Sequence, residues 1–154
     1  MDDTTIARAL HVLGVIHWIG GLAMVTLVVL PPATDPADRL AMFKMIERRF
    51  GAQARWSVTL VGLTGFWMTW RLHAWWRFAE PGYWWMDAML ALWALFTMLL
   101  FVAEPLVLHG RFEERAKHDP GGTLAFGLWA HRVLLALASV TVAGAVLGAH
   151  GLLY

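Results

Sequence analysis

The pattern of apolar and polar positions divides the chain into four long apolar stretches separated by polar segments. The stretches run approximately over residues 9–30, 56–76, 83–108 and 124–150. Crossing about 30 Å of hydrocarbon takes about 20 helical residues, and each stretch is long enough to do so. Because a helix satisfies its own backbone hydrogen bonds, the pattern predicts an all-α, integral membrane four-helix bundle, formed by a single domain over residues 1–154.

The second stretch is bounded by charged residues, and the segment before it is amphipathic. Between Arg55 and Arg71 the chain holds no charge, which predicts that these two arginines extend toward opposite membrane interfaces. The segment 36–50 has an apolar face and a basic face, and Asp35 followed by Pro36 is a helix-start signal. We therefore expect an amphipathic helix at about 36–50 that lies on the cytoplasmic membrane surface.

Composition agrees with a membrane protein and excludes several other classes. The chain is 59% apolar and 15% charged, which leaves too few polar groups to cover a water-facing surface. Cysteine is absent, so disulfides and thiolate metal ligands are excluded. The net charge is +1 and the basic residues are scattered, which gives no sign of nucleic-acid binding.

The distribution of basic residues predicts the orientation in the membrane. Nine arginines and lysines fall in the first and third loops with their adjoining helix ends, namely Arg39, Lys44, Arg48, Arg49, Arg55, Arg111, Arg115, Lys117 and Arg132. The opposite side carries three, namely Arg8, Arg71 and Arg77. The excess of positive charge predicts a multi-pass protein of the bacterial inner (cytoplasmic) membrane with both termini outside. An aromatic belt between Trp70 and Trp85 then lies at the outer interface.

Six of the seven histidines lie in or at the ends of the apolar stretches. Toward the outer side lie His11, His73 and His150, with His17 deeper, and toward the inner side lie His109 and His131. Ionisable residues within a membrane are costly, and imidazole is the usual ligand of haem iron and of copper. Metal or haem binding is therefore the chemistry that these residues favour, although His73 and His109 also suit a simple interfacial role.

Other residues in the stretches have two interpretations. The carboxylates Asp87 and Glu104 in the third stretch suit proton movement or metal binding, and equally suit acids that extend to the interface. Glycine pairs such as Gly144 and Gly148 allow either a porphyrin edge or a neighbouring helix to come close. Methionines of the outer half, namely Met68, Met86 and Met89, are soft ligands that suit Cu(I) but are also common apolar filler.

The first apolar stretch resembles a known family. The run from Ala9 to Gly21, with His11 and His17, resembles the first helix of the CopD-like membrane superfamily, which includes the HemJ-type protoporphyrinogen oxidases. The run Trp84–Met89, Glu104-Pro105 with His109, and the run Gly144–Gly151 are similar to a branch of small four-helix bacterial members. The resemblance implies a four-helix bundle that binds b-type haem, with His11 matching the first-helix histidine of the HemJ group. It does not extend to the HemJ-type lysine of the third helix, because Asp87 is the residue that the third stretch offers.

Three hypotheses about function remain open at this point. The first is a b-type haem redox protein, with electron transfer linked to quinone or a partner protein, in which His11 or His17 with His150 hold an outer haem and His131 with His109 an inner one. The second is copper binding or import through outer histidines and methionines. The third is an accessory membrane subunit without a cofactor. We further expect a possible homodimer, and whether the protein is an enzyme on its own is left open.

Overall fold

The computed structural model describes residues 3–28 and 35–152, without the side chains of residues 36, 106–109 and 111–112. Over these ranges the chain is helical, in agreement with the predicted all-α class. The α-helices are α1 (Asp3–Leu27), α2 (Pro36–Arg71), α3 (Trp84–Met98), α4 (His109–His118) and α5 (Pro120–Ala149). Short 3₁₀ turns, Ala74–Ala79 and Pro81–Tyr83, join α2 to α3, and a π-helical segment, Leu99–Leu108, joins α3 to α4.

Three helical segments are long and apolar enough to cross a membrane, namely Asp3–Leu27, Pro81–Pro105 and Pro120–Ala149. Most of each segment lies on the outside of the bundle rather than in its core. Large apolar side chains such as Leu13, Ile16, Leu63 and Val140 are each more than 60% exposed. Large exposed apolar surfaces of this kind mark contact with a membrane or with another protein.

The region 36–71 differs from the sequence-based expectation. Instead of a separate surface helix at 36–50 followed by a span, the chain forms one helix of 36 residues, which is about 54 Å long at the usual helical rise. Asp35 begins this helix as predicted, because its Oδ1 accepts a hydrogen bond from the Ala37 N–H at 2.8 Å. No proline or turn sequence separates Phe50 from Trp56, and a single glycine does not end a helix.

The first half of α2 packs inside the bundle. Leu40 and Phe43 are buried and form one apolar cluster with Val25 of α1 and Leu124 of α5. The apolar face predicted to lie on lipid therefore contacts the C-terminal end of α1 and the N-terminal end of α5. Burial against protein fixes the helix in place, which a lipid surface alone does not do.

A second and larger cluster forms the centre of the bundle. It joins α1, α2, α3 and α5 through buried side chains, namely Trp18, Leu22, Ala54, Val58, Val61, Leu92, Phe96 and Ala138. Trp18 of α1 meets Phe96 of α3 edge to face, with ring centroids 4.6 Å apart. Helix α1 runs beside α2, α3 runs beside α5, and α5 also contacts α1 and α2. This arrangement sets the directions in which the histidines can point.

Candidate functional site

The two histidines of α1 both contact α2. The His11 ring lies with Nδ1 3.1 Å from the Val61 carbonyl oxygen and 3.0 Å from the Thr64 hydroxyl. A Cβ on Gly65 would lie 3.3 Å from Cε1 of the same ring, so the glycine lets the imidazole sit close to α2. His17 is more exposed, and its Nδ1 lies 3.1 Å from the Ser57 hydroxyl. The α1–α2 contact therefore fixes both rings.

The two histidines of α5 bond within their own helix. His131 has Nδ1 2.9 Å from the Gly127 carbonyl oxygen, and His150 has Nδ1 2.8 Å from the Val146 carbonyl oxygen. The His131 ring is half-buried and meets Phe43 of α2 edge to face, with centroids 5.3 Å apart. His150 is exposed at the end of the helix.

These bonds define which ring nitrogen carries the proton. A carbonyl oxygen only accepts, so in the neutral rings of His11, His131 and His150 the Nδ1–H donates and Nε2 keeps a lone pair. In the part of the chain that the structure describes, none of the three Nε2 atoms has a hydrogen-bond partner. Metal-bound histidines have the same arrangement, in which one ring nitrogen binds the metal and the N–H of the other donates to an oxygen.

The structure does not gather the histidines into one group. His11 and His17 point toward α2, whereas His131 and His150 are held by α5. Among the side chains that the structure describes, which leave out His109, no set of three His, Asp or Glu lies close enough to hold a metal ion.

The three remaining histidines lie at a turn after α2 and in α4. His73 is exposed and adopts a left-handed backbone conformation, with φ 49°, at the turn after α2. His118 lies in α4 with Nε2 3.5 Å from Glu114, and both side chains are exposed. His109 begins α4, but its side chain lies outside the described residues, so the predicted pairing of His109 with His131 stays a prediction.

Tryptophan indoles cover the glycine faces. A Cβ at Gly144 would lie 2.8 Å from the Trp84 ring, and one at Gly148 would overlap the Trp85 ring. A Cβ at Gly62 would lie 2.6 Å from Nε1 of Trp93, which donates a hydrogen bond of 2.9 Å to the Val58 carbonyl. Of the two interpretations given to these glycines, helix packing is the one that the structure displays.

The carboxylates of the third stretch have different surroundings. Asp87 lies in the first turn of α3 and is exposed. Glu104 lies in the π-helical segment, and its Oε2 is 3.0 Å from Nη2 of Arg55. The Glu104 side chain is 24% exposed and that of Arg55 is 37% exposed, so the pair is only partly in contact with solvent or lipid.

Arg55 also completes the hydrogen bonding of the π-helical segment. In a π-helix each carbonyl accepts from the N–H five residues later, and for Leu100 that residue is Pro105, which has no N–H. Nε of Arg55 donates to the Leu100 carbonyl oxygen at 3.1 Å. The sequence predicts a place for Arg55 at a membrane interface but not this contact. The signal that could have found it is Glu104 followed by proline, which leaves a carbonyl in need of a donor.

The methionines of the outer half differ in burial. Met86 is buried, while Met68 and Met89 are half-buried. No described contact joins them to a histidine ring.

Comparison with known proteins gives no assignment. No family model, no curated protein and no solved structure matches the chain. The resemblance to the CopD-like superfamily therefore stays a prediction from the quoted motifs.

Proposed function

We propose that this chain is a four-crossing protein of the bacterial inner membrane that binds b-type haem through histidine and transfers electrons, with a membrane quinone as its partner. Both termini lie outside in this proposal. The function is electron transfer by a bound cofactor, and the proposal assigns no separate catalytic residues.

The membrane part of the proposal rests on the exposed apolar surface. Three segments meet the length and apolarity of a span, and the second half of α2 runs beside α1 through the same bundle. On α2, Trp56 is 80% exposed and Leu63 is 67% exposed, as expected for side chains that face lipid. The excess of arginine and lysine in the first and third loops supports the orientation.

The single observation that carries the haem proposal is the state of the ring nitrogens. His11 on α1 and His131 on α5 each donate Nδ1–H to a carbonyl and keep Nε2 available, and both rings are half-buried in the bundle. Iron bound by such imidazoles supplies one-electron chemistry at a potential that burial and these hydrogen bonds tune. The chain's own residues orient the rings and hold the Nδ1 protons.

The fit to haem differs between the predicted ligand sets. Beside His150, the faces of Gly144 and Gly148 hold the indoles of Trp84 and Trp85, so a porphyrin does not fit there without displacing them. His150 is therefore not a haem ligand in this proposal. His131 is the first choice of ligand because its ring is oriented by Gly127 and Phe43 and no indole covers it in the described contacts.

The test is a haemin titration of the detergent-solubilised protein and its single-histidine variants. We expect wild type to take up haemin with the spectrum of a low-spin, histidine-ligated iron. His131→Ala and His11→Ala should each lower the amount of haemin bound without abolishing it, because His131 meets Phe43 and His11 meets Val61 at distant positions of α2, so each variant removes a ligand of a separate site. His118→Ala is the matched control and should bind as wild type does, since His118 is exposed on α4.

The copper and cofactor-free hypotheses are outcomes of the same experiment. Cu(I) binding that depends on Met86 and Met89, with no haemin uptake, would replace the haem proposal by copper handling. Uptake of neither would leave the accessory-subunit hypothesis. Equal haemin binding by all three histidine variants would contradict the ligand assignment.

A further inference from the structure

An apolar groove runs along the contact of α2 with α3 and the π-helical segment. Its volume is about 310 Å³, and almost none of its wall is polar. Helix α2 contributes Thr59 and Gly62, and the facing wall carries Trp93, Thr97 and Phe101. The hydroxyls of both threonines are used by their own helices, because Thr59 donates to Arg55 O and Thr97 donates to Trp93 O, each at 2.8 Å. The groove therefore suits an apolar occupant.

The two ends of the groove are different. At the outer end Phe66 packs between Trp93, edge to face at 5.4 Å, and Trp75, stacked at 6.4 Å. The inner end lies at Thr59 and Phe101. Aromatic rings thus close the outer end of the groove.

The inner end adjoins the Arg55–Glu104 ion pair. Thr59 is one helical turn from Arg55, and Phe101 follows Leu100, whose carbonyl accepts from Arg55 Nε. A guanidinium has five N–H donors, and the described bonds use Nε for Leu100 and Nη2 for Glu104. Because the Arg55 side chain is 37% exposed, its remaining donors are accessible to a molecule that reaches this end.

We infer that this groove, which we call the α2–α3 groove, is the binding site of a lipid-soluble quinone. The headgroup lies at the inner end with a carbonyl accepting from Arg55, and the isoprenoid chain lies along the apolar wall. The inference rests on the proposed function, in which quinone is the electron partner, and adds the place where it binds.

The charge at the inner end decides between possible occupants. Arg55 is already paired with Glu104 at 3.0 Å, so the charge of its guanidinium is balanced by a carboxylate. A phosphate headgroup would meet the Glu104 carboxylate as a like charge, which opposes binding. A quinone is uncharged, accepts hydrogen bonds and is flat enough to lie against aromatic side chains, so its chemistry is complementary to both the pair and the wall.

The experiment measures quinone binding to the full chain in nanodiscs of phosphatidylcholine. The probe is a short-chain azido-quinone, read out by photocrosslinking with mapping of the labelled peptide, and by its dissociation constant from competition with unlabelled short-chain quinone. Thr97→Phe and Thr59→Phe each fill the groove from one wall. Val140→Phe is the matched control, because it adds the same ring type to an exposed position on α5.

We expect crosslinks within residues 93–101 and at least tenfold weaker binding for both groove variants, with the control within twofold of wild type. Glu104→Gln keeps an acceptor for Arg55 and should retain binding within threefold, whereas Arg55→Met should weaken it at least tenfold. Equal binding by Thr97→Phe, Thr59→Phe and Val140→Phe would overturn the assignment. The assignment would also be overturned if the groove of wild type retains phospholipid, and if Thr97→Phe and Thr59→Phe release that phospholipid but leave quinone binding unchanged.

Haem content measured on the same samples separates this inference from the proposed function. Quinone binding at the α2–α3 groove in protein that takes up no haem would sustain the site and refute the haem proposal. Haem uptake without quinone labelling at 93–101 would refute the site alone.

Discussion

Replacing Gly62 with alanine tests whether the glycine faces are packing sites for tryptophan. The new Cβ would lie 2.6 Å from Nε1 of Trp93 and 2.7 Å from two further atoms of its ring. The indole is rigid and is tied to the same helix by its hydrogen bond to the Val58 carbonyl, so it cannot move away without breaking that bond. Either α3 therefore has to move away from α2, or the hydrogen bond from Trp93 to Val58 has to break.

The magnitude follows from three opposing contributions. Overpacking costs typically about 1–3 kcal/mol and a lost hydrogen bond about 1 kcal/mol, while alanine gains about 1 kcal/mol over glycine in a helix. We expect Gly62→Ala to lower the free energy of unfolding by about 2 kcal/mol. Gly20→Ala is the matched control, because no atom lies within 4 Å of a Cβ there, and it should raise that free energy by up to about 1 kcal/mol.

The assay is reversible unfolding in mixed micelles by titration with dodecyl sulfate, followed by circular dichroism. Repeating Gly62→Ala in a Trp93→Phe background should recover at least half of its cost, because a smaller ring without an N–H removes both the overlap and the hydrogen bond. The same cost in both backgrounds, or equal behaviour of Gly62→Ala and Gly20→Ala, would refute the packing argument.

The remaining predictions use the same unfolding assay. Glu104→Gln should lower the free energy of unfolding by about 1–2 kcal/mol, less than for a fully buried pair, because Arg55 keeps its charge in partly apolar surroundings; an unchanged value would contradict the pairing. Asp119→Ala should cost about 1 kcal/mol, because it removes the side-chain acceptor at the start of α5, and no loss would show that this cap is not formed. Asp3→Asn should change the value by less than about 1 kcal/mol, since its bond to Arg71 is exposed, and a larger loss would contradict that reasoning.

The sequence predicts a helix start well where a capping residue and a proline mark it. Asp35 with Pro36 predicted the start of α2, and the structure confirms that cap. The same pattern predicted a helix that ends near Phe50, because the polarity of the sequence changes there. The structure has no helix end at that position. What decides that region is the burial of Leu40 and Phe43 against other helices, and contacts between distant segments are not visible in a single helical pattern.

The candidate site could be predicted only in part, because rotation about each helix axis is not encoded in residue spacing. The sequence identified Glu104 as a polar candidate but not its partner Arg55, which lies 49 residues earlier in the numbering and meets it across the bundle. It identified His11 and His131 as candidate ligands. The acceptors that fix their rings are backbone carbonyls, and because every residue has one, the sequence does not show which carbonyl accepts. Residue type thus predicted which side chains are candidates for the site, whereas helix packing determines which residues those side chains contact.

The most direct test of the central claim is the reduced-minus-oxidised absorption spectrum of the protein purified from haem-replete cells, with haem and copper quantified on the same sample. We predict a Soret band that sharpens and split α and β bands on reduction by dithionite, with at least one haem for each chain. A colourless protein that contains less than one tenth of a haem per chain would contradict the account.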